Sequence, residues 1–222
     1  AAVPAEGASG SGDAEPDPAP EDDPAWAPQL PPRHAEVERD DAVVQLFLRW
    51  FGGRRDIHAR QWYSARRGRG GYRPVREPLT EAVARAHLAG RATVGQYLLD
   101  ARGRVRFGVI DLDVSADALA ELDALHGAPN PMAHAPLRKY LGALVRAGAR
   151  LGLPLYPAAS GGRGAHAWIF FASPRPASVA RNLLSQVTTT AGPPPSTVEL
   201  EIFPKQDVPG PRGLSSLVKL PL

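Results

Sequence analysis

The chain contains no cysteine, which excludes a disulfide scaffold and any Cys-ligated zinc or iron–sulfur centre. It fits a reducing, cytoplasmic setting. No apolar run approaches the length of a bilayer span, so no membrane partner is expected. The first residues, AAVPAEGASGSG, lack the basic and apolar regions of a secretory signal. Aromatic residues are few, at 7%. The chain opens on Ala and stops at LVKLPL, and it reads as a segment of something longer with further domains or partners beyond it. What remains is 222 residues, enough to bury a core without staples.

Charge is divided unevenly along the chain. Residues 1–41 hold eleven Asp/Glu and two Arg, and the remainder holds twelve Asp/Glu and twenty-four Lys/Arg. The acidic stretch is rich in Pro, Ala and Gly and poor in large apolar residues. Such a segment cannot offset its own chain entropy, so residues 1–35 read as a disordered tail. The basic remainder suits a polyanionic partner. Between Arg49 and Arg76 there are nine arginines and one acid, Asp56, interleaved with Trp50, Phe51, Trp62, Tyr63 and Tyr72. Guanidinium groups pair with phosphate and aromatic faces stack on bases. Arg54, Arg60, Trp62, Tyr63, Arg66, Arg67 and Arg69 are the candidate nucleic-acid contacts. A surface simply rich in arginine, with aromatics that pack, explains the same composition.

Periodicity and capping residues set the expected elements. A helix over 42–51 follows Asp40 or Asp41, and a strand covers 57–63. GRGGY at 68–72 reads as a turn, and Thr80 caps a helix over 81–89. Strands 93–100 and 105–112 flank an Asp100–Gly103 turn and are expected to form a hairpin. Helices at 116–126 and 136–151, strands at 154–158 and 166–172, a helix at 177–190 and a strand at 197–203 follow. A last strand is expected over 214–220. Counting the two middle helices as one crossover gives βαββαβ, a split βαβ pattern within an α+β fold. Right-handed crossovers then set strand 105–112 in the middle, antiparallel to the third and fourth strands. Asp111, Asp113, His166, Glu199 and Glu201 should therefore gather at one edge of the sheet.

Those residues have a shared chemistry. Asp111 and Asp113 are two apart at the end of an apolar strand and face the same way. Paired carboxylates repel, and a hard divalent cation such as Mg²⁺ or Mn²⁺ relieves this. A third acid across the sheet would complete a two-metal site for nucleotidyl transfer. Taken singly, an Asp-Leu-Asp is as well explained by a helix cap and a solvated side chain. The turn Ser160-Gly161-Gly162-Arg163-Gly164 between two strands offers backbone N–H groups to an anion. Ser160, Arg163 and His166 could add donors. Lys205 and Lys219 could neutralise phosphate, or could be plain surface lysines.

In this order, FGVIDLDV, SGGRGAHAWIFF, VELEIFPKQD and LVKLPL resemble the archaeo-eukaryotic primase superfamily. They are most similar to primase-polymerases of bacterial mobile-element and defence systems, including the TOTE conflict-system and CRISPR-associated types. Upstream, HARQWYSARRGRGGYRPV, LTEAVARAHLAG and TVGQYLLD also resemble that branch. The resemblance covers about residues 43–222. It implies a catalytic domain over 42–222, with a small N-terminal α/β unit over about 42–104 and an RRM-like unit over 105–222. It also implies that Asp111 and Asp113 bind metal and that Ser160, Gly162, Arg163 and His166 hold a nucleotide triphosphate. Glu201 would be the third acid, with Glu199 the alternative, and Lys219 resembles a late basic residue near the triphosphate. The implied partners are an NTP or dNTP and a single-stranded DNA template or primer-template. Two other functions use the same residues: an RRM-like binding module without catalysis, and a two-metal nuclease.

Overall fold

A computed structural model describes residues 40–126, 134–210 and 212–221. The acidic segment read as a tail, residues 1–35, lies outside the described residues. Helix α1 (Asp41–Phe51) starts where the Asp40 carboxylate accepts hydrogen bonds from the N–H groups of Ala42 and Val43. Strands β1 (His58–Ser64) and β2 (Arg69–Val75) follow, then α2 (Glu81–Leu88), capped by the Thr80 hydroxyl. Next come β3 (Val94–Tyr97), β4 (Arg104–Val114), α3 (Ala116–His126) and α4 (Ala135–Arg150). The chain continues through β5 (Tyr156–Ala159), β6 (Gly164–Pro176), α5 (Ala177–Ala191), β7 (Val198–Phe203) and β8 (Leu217–Lys219). Among the described residues no helix is long and apolar enough to cross a membrane.

The architecture is α+β with two antiparallel four-stranded sheets. The first has the order β2-β1-β3-β8 and the second β5-β6-β4-β7. The second sheet carries the expected split βαβ order, with β4 between β6 and β7. Its far face presents Ile110, Leu112, Val114, Ala165, Ala167 and Ile169 to Leu137 and Leu144 of α4 and to Leu184 and Val187 of α5. Each Ile, Leu or Val side chain among them, fully buried, contributes about 1.5–3 kcal/mol. The opposite face presents Phe107, Val109, Trp168 and Phe203 to Val44 and Phe47 of α1 and to Val94 and Val218 of the first sheet. Asp111 and Asp113 continue this second face beyond Val109.

Two local expectations are corrected. GRGGY is mostly strand: the turn is a single 3-10 turn at Ala65–Arg67, closed by Gly68 at φ 58°. Gly71 lies opposite Trp62 and Gly70 opposite Tyr63 in the β1–β2 ladder. The Trp62 indole lies over Gly71, 3.6 Å from where a Cβ would stand. The second correction concerns strands 93–100 and 105–112, which are not hairpin partners. The Asp100 turn forms, with Asp100 Oδ1 accepting from the N–H groups of Arg102 and Arg104. But β3 pairs with β1 and β8, and β4 with β6 and β7. Both edges of each strand are already taken.

Candidate active site

The site is built by the register of three strands. Asp111 of β4 lies opposite His166 of β6 on one side and Glu201 of β7 on the other. Asp113 lies opposite Gly164 and Glu199 in the same way. Directly opposed residues share a face, so both aspartates, both glutamates and His166 are on one side of the sheet. Val198, Leu200 and Ile202 turn the other way into the core.

The close packing of β6 on β4 requires a glycine at position 164. A methyl group there would stand 1.6 Å from the Leu112 carbonyl oxygen. The turn before it is pinned at both ends: Ser160 N–H donates to Gly164 O at 3.0 Å, and Gly164 N–H donates to Ser160 Oγ at 3.2 Å. Gly161 adopts φ 66°, in the left-handed region. Gly162 is exposed, with open space around its Cα.

The charges are paired across the site. Arg163 Nη2 donates to Asp113 Oδ2 at 2.9 Å and lies 3.8 Å from Glu199 Oε2. Lys205 Nζ is 2.7 Å from Glu201 Oε1 and sits over the Phe203 ring. Lys219 reaches across from the first sheet, with Nζ 3.4 Å from the Gly161 carbonyl oxygen. Burial lowers the pKa of its ammonium. His166 is buried, edge-on to Trp168, with Nε2 3.3 Å from Asp111 Oδ1. That approach is off the alignment of a hydrogen bond, so Asp111 Oδ1 is a buried oxygen with no donor; His166 Nδ1, the other ring nitrogen, is likewise buried with no hydrogen-bond partner.

Burial raises the pKa of the Asp113 carboxyl, and the charges of Asp111 and Glu199 add to this against the opposing Arg163. A raised carboxyl favours folding while protonated and loses that contribution as pH climbs through its folded value. Asp113→Asn is therefore expected to resist denaturant better than the parent near neutral pH. The gain should vanish below the ordinary carboxylate value of 3.8. Equal denaturation midpoints at both pH values would contradict it.

A divalent cation can be tested against this donor set. Oxygen donors alone, an orphaned Asp111 Oδ1 and mutual carboxylate repulsion all fit a hard cation. Among the described residues, no three His, Asp or Glu side chains already converge on one ion position. Arg163 and Lys205 hold the charge of Asp113, Glu199 and Glu201 instead.

The expected nucleic-acid residues separate in the structure. Arg54 is corrected: it is 7% exposed and grips Asp56 through Nε at 2.7 Å and Nη2 at 2.6 Å. Its Nη1 donates to the Gly213 carbonyl, so it ties the loop before β8 to the first sheet. This guanidinium also lowers the Asp56 pKa. Arg60 and Trp62 point to one face of β1 and Tyr63 to the other, so one bound strand cannot meet both aromatics on a single face. Arg66, Arg67 and Arg69 surround the tip of the β1–β2 hairpin, exposed.

Two positioning residues were not evident in the sequence. Ser216 Oγ accepts from the Lys205 N–H at 3.0 Å, and Ser216 O accepts from Leu98 N–H at 3.0 Å, linking the Lys205 segment to the first sheet. His87, fully buried, sets Nε2 3.0 Å from the Pro221 carbonyl, two residues after Lys219. Both contacts are long-range, and no local pattern announces them.

The structure sets paired carboxylates beside a glycine turn on a split βαβ sheet, an arrangement that by itself serves several chemistries. Comparison with known families narrows this. The chain belongs to the family described as the TOTE conflict system, Archaeo-Eukaryotic Primase domain, which it matches over residues 42–222. Among solved structures it is similar to the polymerase domain from Mycobacterium tuberculosis ligase D in complex with DNA. That similarity is 15% identity at a TM-score of 0.40, over 69% of this chain and 61% of that one. The chain thus spans about three fifths of that structure's length. No curated protein matches it.

Proposed function

We propose that residues 42–222 are a template-directed nucleotidyltransferase, a DNA primase, a DNA polymerase or both, with an RRM-like catalytic sheet. The observation that carries this is the register placing Asp111 between His166 and Glu201, and Asp113 between Gly164 and Glu199. Membership of a primase family supports the same reading.

Asp111, Asp113 and Glu201 would hold Mg²⁺ or Mn²⁺. Glu201 is preferred to Glu199 because it lies directly opposite Asp111, whose oxygen is the orphaned one. When bound, such ions supply charge that offsets the phosphate oxygens and favours ionisation of the attacking hydroxyl. The chain's own residues do the rest. The Ser160–Gly164 turn offers backbone N–H groups to the triphosphate of an NTP or dNTP, with Gly162 open to it. Lys219 flanks the turn from the other sheet. Arg163 and Lys205 balance the acids now and are free to pair with phosphate once those acids are neutralised. His166, pinned between Trp168 and Asp111, offers a buried ring nitrogen at the base of the site. Catalysis here is positioning and electrostatics, with no covalent intermediate. Arg60, Arg66, Arg67 and Arg69, with Trp62 or Tyr63, would contact the template.

The test is incorporation on a single-stranded DNA template with Mn²⁺ or Mg²⁺. It is run with and without a primer, and with NTPs and dNTPs supplied separately. Product in at least one lane is expected. Its dependence on primer distinguishes primase from polymerase. A folded protein that binds template and yields no product in any lane overturns the enzymatic reading in favour of a binding module.

A further inference from the structure

Charge and aromatic exposure coincide at the β5 edge of the second sheet, at residues that the proposed function does not use. No Asp or Glu occurs between Asp123 and Glu199, a stretch that supplies α4, β5, β6 and α5. The same stretch carries seven Lys or Arg. After Asp41, α1 also contains no acid. Of these elements, β6 pairs with β5, α4 packs beside it and Trp50 of α1 reaches it, and β5 is an edge strand of the second sheet.

On β5, Tyr156 is 50% exposed. Two residues further along, Ala158 lies opposite His166, which lies opposite Asp111. Tyr156 therefore stands on the same face as the acids, one short step along an outer strand. Trp50 reaches this edge from α1, where it is 39% exposed while Phe47 of the same helix turns inward. Its ring centroid is 6.3 Å from that of Tyr156 and 4.6 Å from that of Phe170. The rings meet at 50° and 72°, so they form a shelf with open faces and not a slot between parallel planes. Pro157 points to the opposite side of β5 and there lines a groove with Arg138 and Arg146 of α4. One edge strand thus has aromatic rings on one side and guanidinium groups on the other.

We propose that the β5 edge is a path for single-stranded DNA, with unpaired bases stacking on Tyr156 and Trp50 and the backbone held by Arg146 and Arg138. Open ring faces on one side of an edge strand, with arginines on its other side and no acid in the stretch that supplies that strand, match the chemistry of an unpaired strand. A duplex keeps its base faces stacked and offers none to such a shelf. The inference takes its ligand from the template-directed reading, and it adds a second surface to the β1–β2 hairpin. Its test needs no catalysis.

The experiment is fluorescence anisotropy of a labelled oligo-dT with the full chain, without nucleotide or divalent cation, over a salt series. Stacking of one base predicts that Tyr156→Ala weakens binding about 5- to 150-fold, and Trp50→Ala similarly. Tyr156→Phe, which keeps the ring, should retain binding. The salt slope should stay fixed in the aromatic variants and fall by about one in Arg146→Gln. Thermal unfolding checks that each variant is folded. Folded Tyr156→Ala and Trp50→Ala proteins that bind oligo-dT as the parent does would overturn the proposal, as would a parent that does not bind it. The two readings fail differently. If the parent incorporates nucleotide and Tyr156→Ala binds and extends normally, the shelf is wrong and the enzyme stands. If nothing is incorporated but Tyr156→Ala loses binding, the shelf stands alone.

Discussion

Asp111→Asn is expected to abolish nucleotide incorporation while leaving the fold as stable as before, or more so. Outer-shell partners of metal ligands typically cost 10–100-fold, so losing Asp111, an inner ligand under the proposed function, should cost on the order of 10³-fold or more. Stability should not fall, because Asp111 Oδ1 has no hydrogen-bond donor to lose and its charge opposes that of Asp113. The isosteric amide also lifts the repulsion that Asp113 feels from Asp111. Single-turnover primer extension and thermal unfolding, measured on one preparation, read the two effects. A folded Asp111→Asn protein that extends primer at the parental rate would refute the assignment of the site.

Gly164→Ala is expected to be the most damaging glycine-to-alanine change among the described residues. Its Cβ would stand 1.6 Å from Leu112 O, 2.7 Å from Leu112 C and 2.9 Å from Asp113 Cα. All three atoms are backbone, so nothing flexible can give way. Overpacking ordinarily costs about 1–3 kcal/mol, and this case belongs at or above the top of that range. Relief would require β6 to move off β4 beside Asp113, so incorporation should fall with stability. Gly162→Ala, two residues earlier, provides the control. Its nearest atom is Ser160 Oγ at 3.9 Å, so denaturant titration should place it within about 0.5 kcal/mol of the parent. Comparable midpoints for the two variants would contradict the packing argument.

These two positions mark what the sequence could reveal. Asp111 and Asp113 were legible because alternation along FGVIDLDV fixes their face and split βαβ connectivity fixes their neighbours. The opposition of Asp111 to His166 and Glu201 follows from that topology. Gly164 was read as part of a phosphate-binding turn, whereas its tightest constraint is the approach of Leu112, a residue distant in sequence. Arg54 failed for a related reason. Within an arginine-rich run its composition matches that of its neighbours, and only the fold selects it to grip Asp56 and Gly213. The Asp100 turn was correct locally and misleading globally, since turn chemistry fixes a reversal without choosing the strands that pair. Tyr156 carried no signal at all. Its exposure depends on β5 being an edge, and its company depends on α1 lying across that edge.

The pairing of β8 with β3 bears on how the chain is made. During synthesis the first sheet emerges early with one side of β3 unsatisfied, and its missing neighbour is translated only after the entire second sheet. An open strand edge invites pairing with other chains. The interval before β8 arrives thus leaves one more strand edge open to such pairing than the folded chain has. The same closure means that the two sheets are not separable modules. Cutting between β3 and β4 would leave the early half without its last strand and the late half with a stray one.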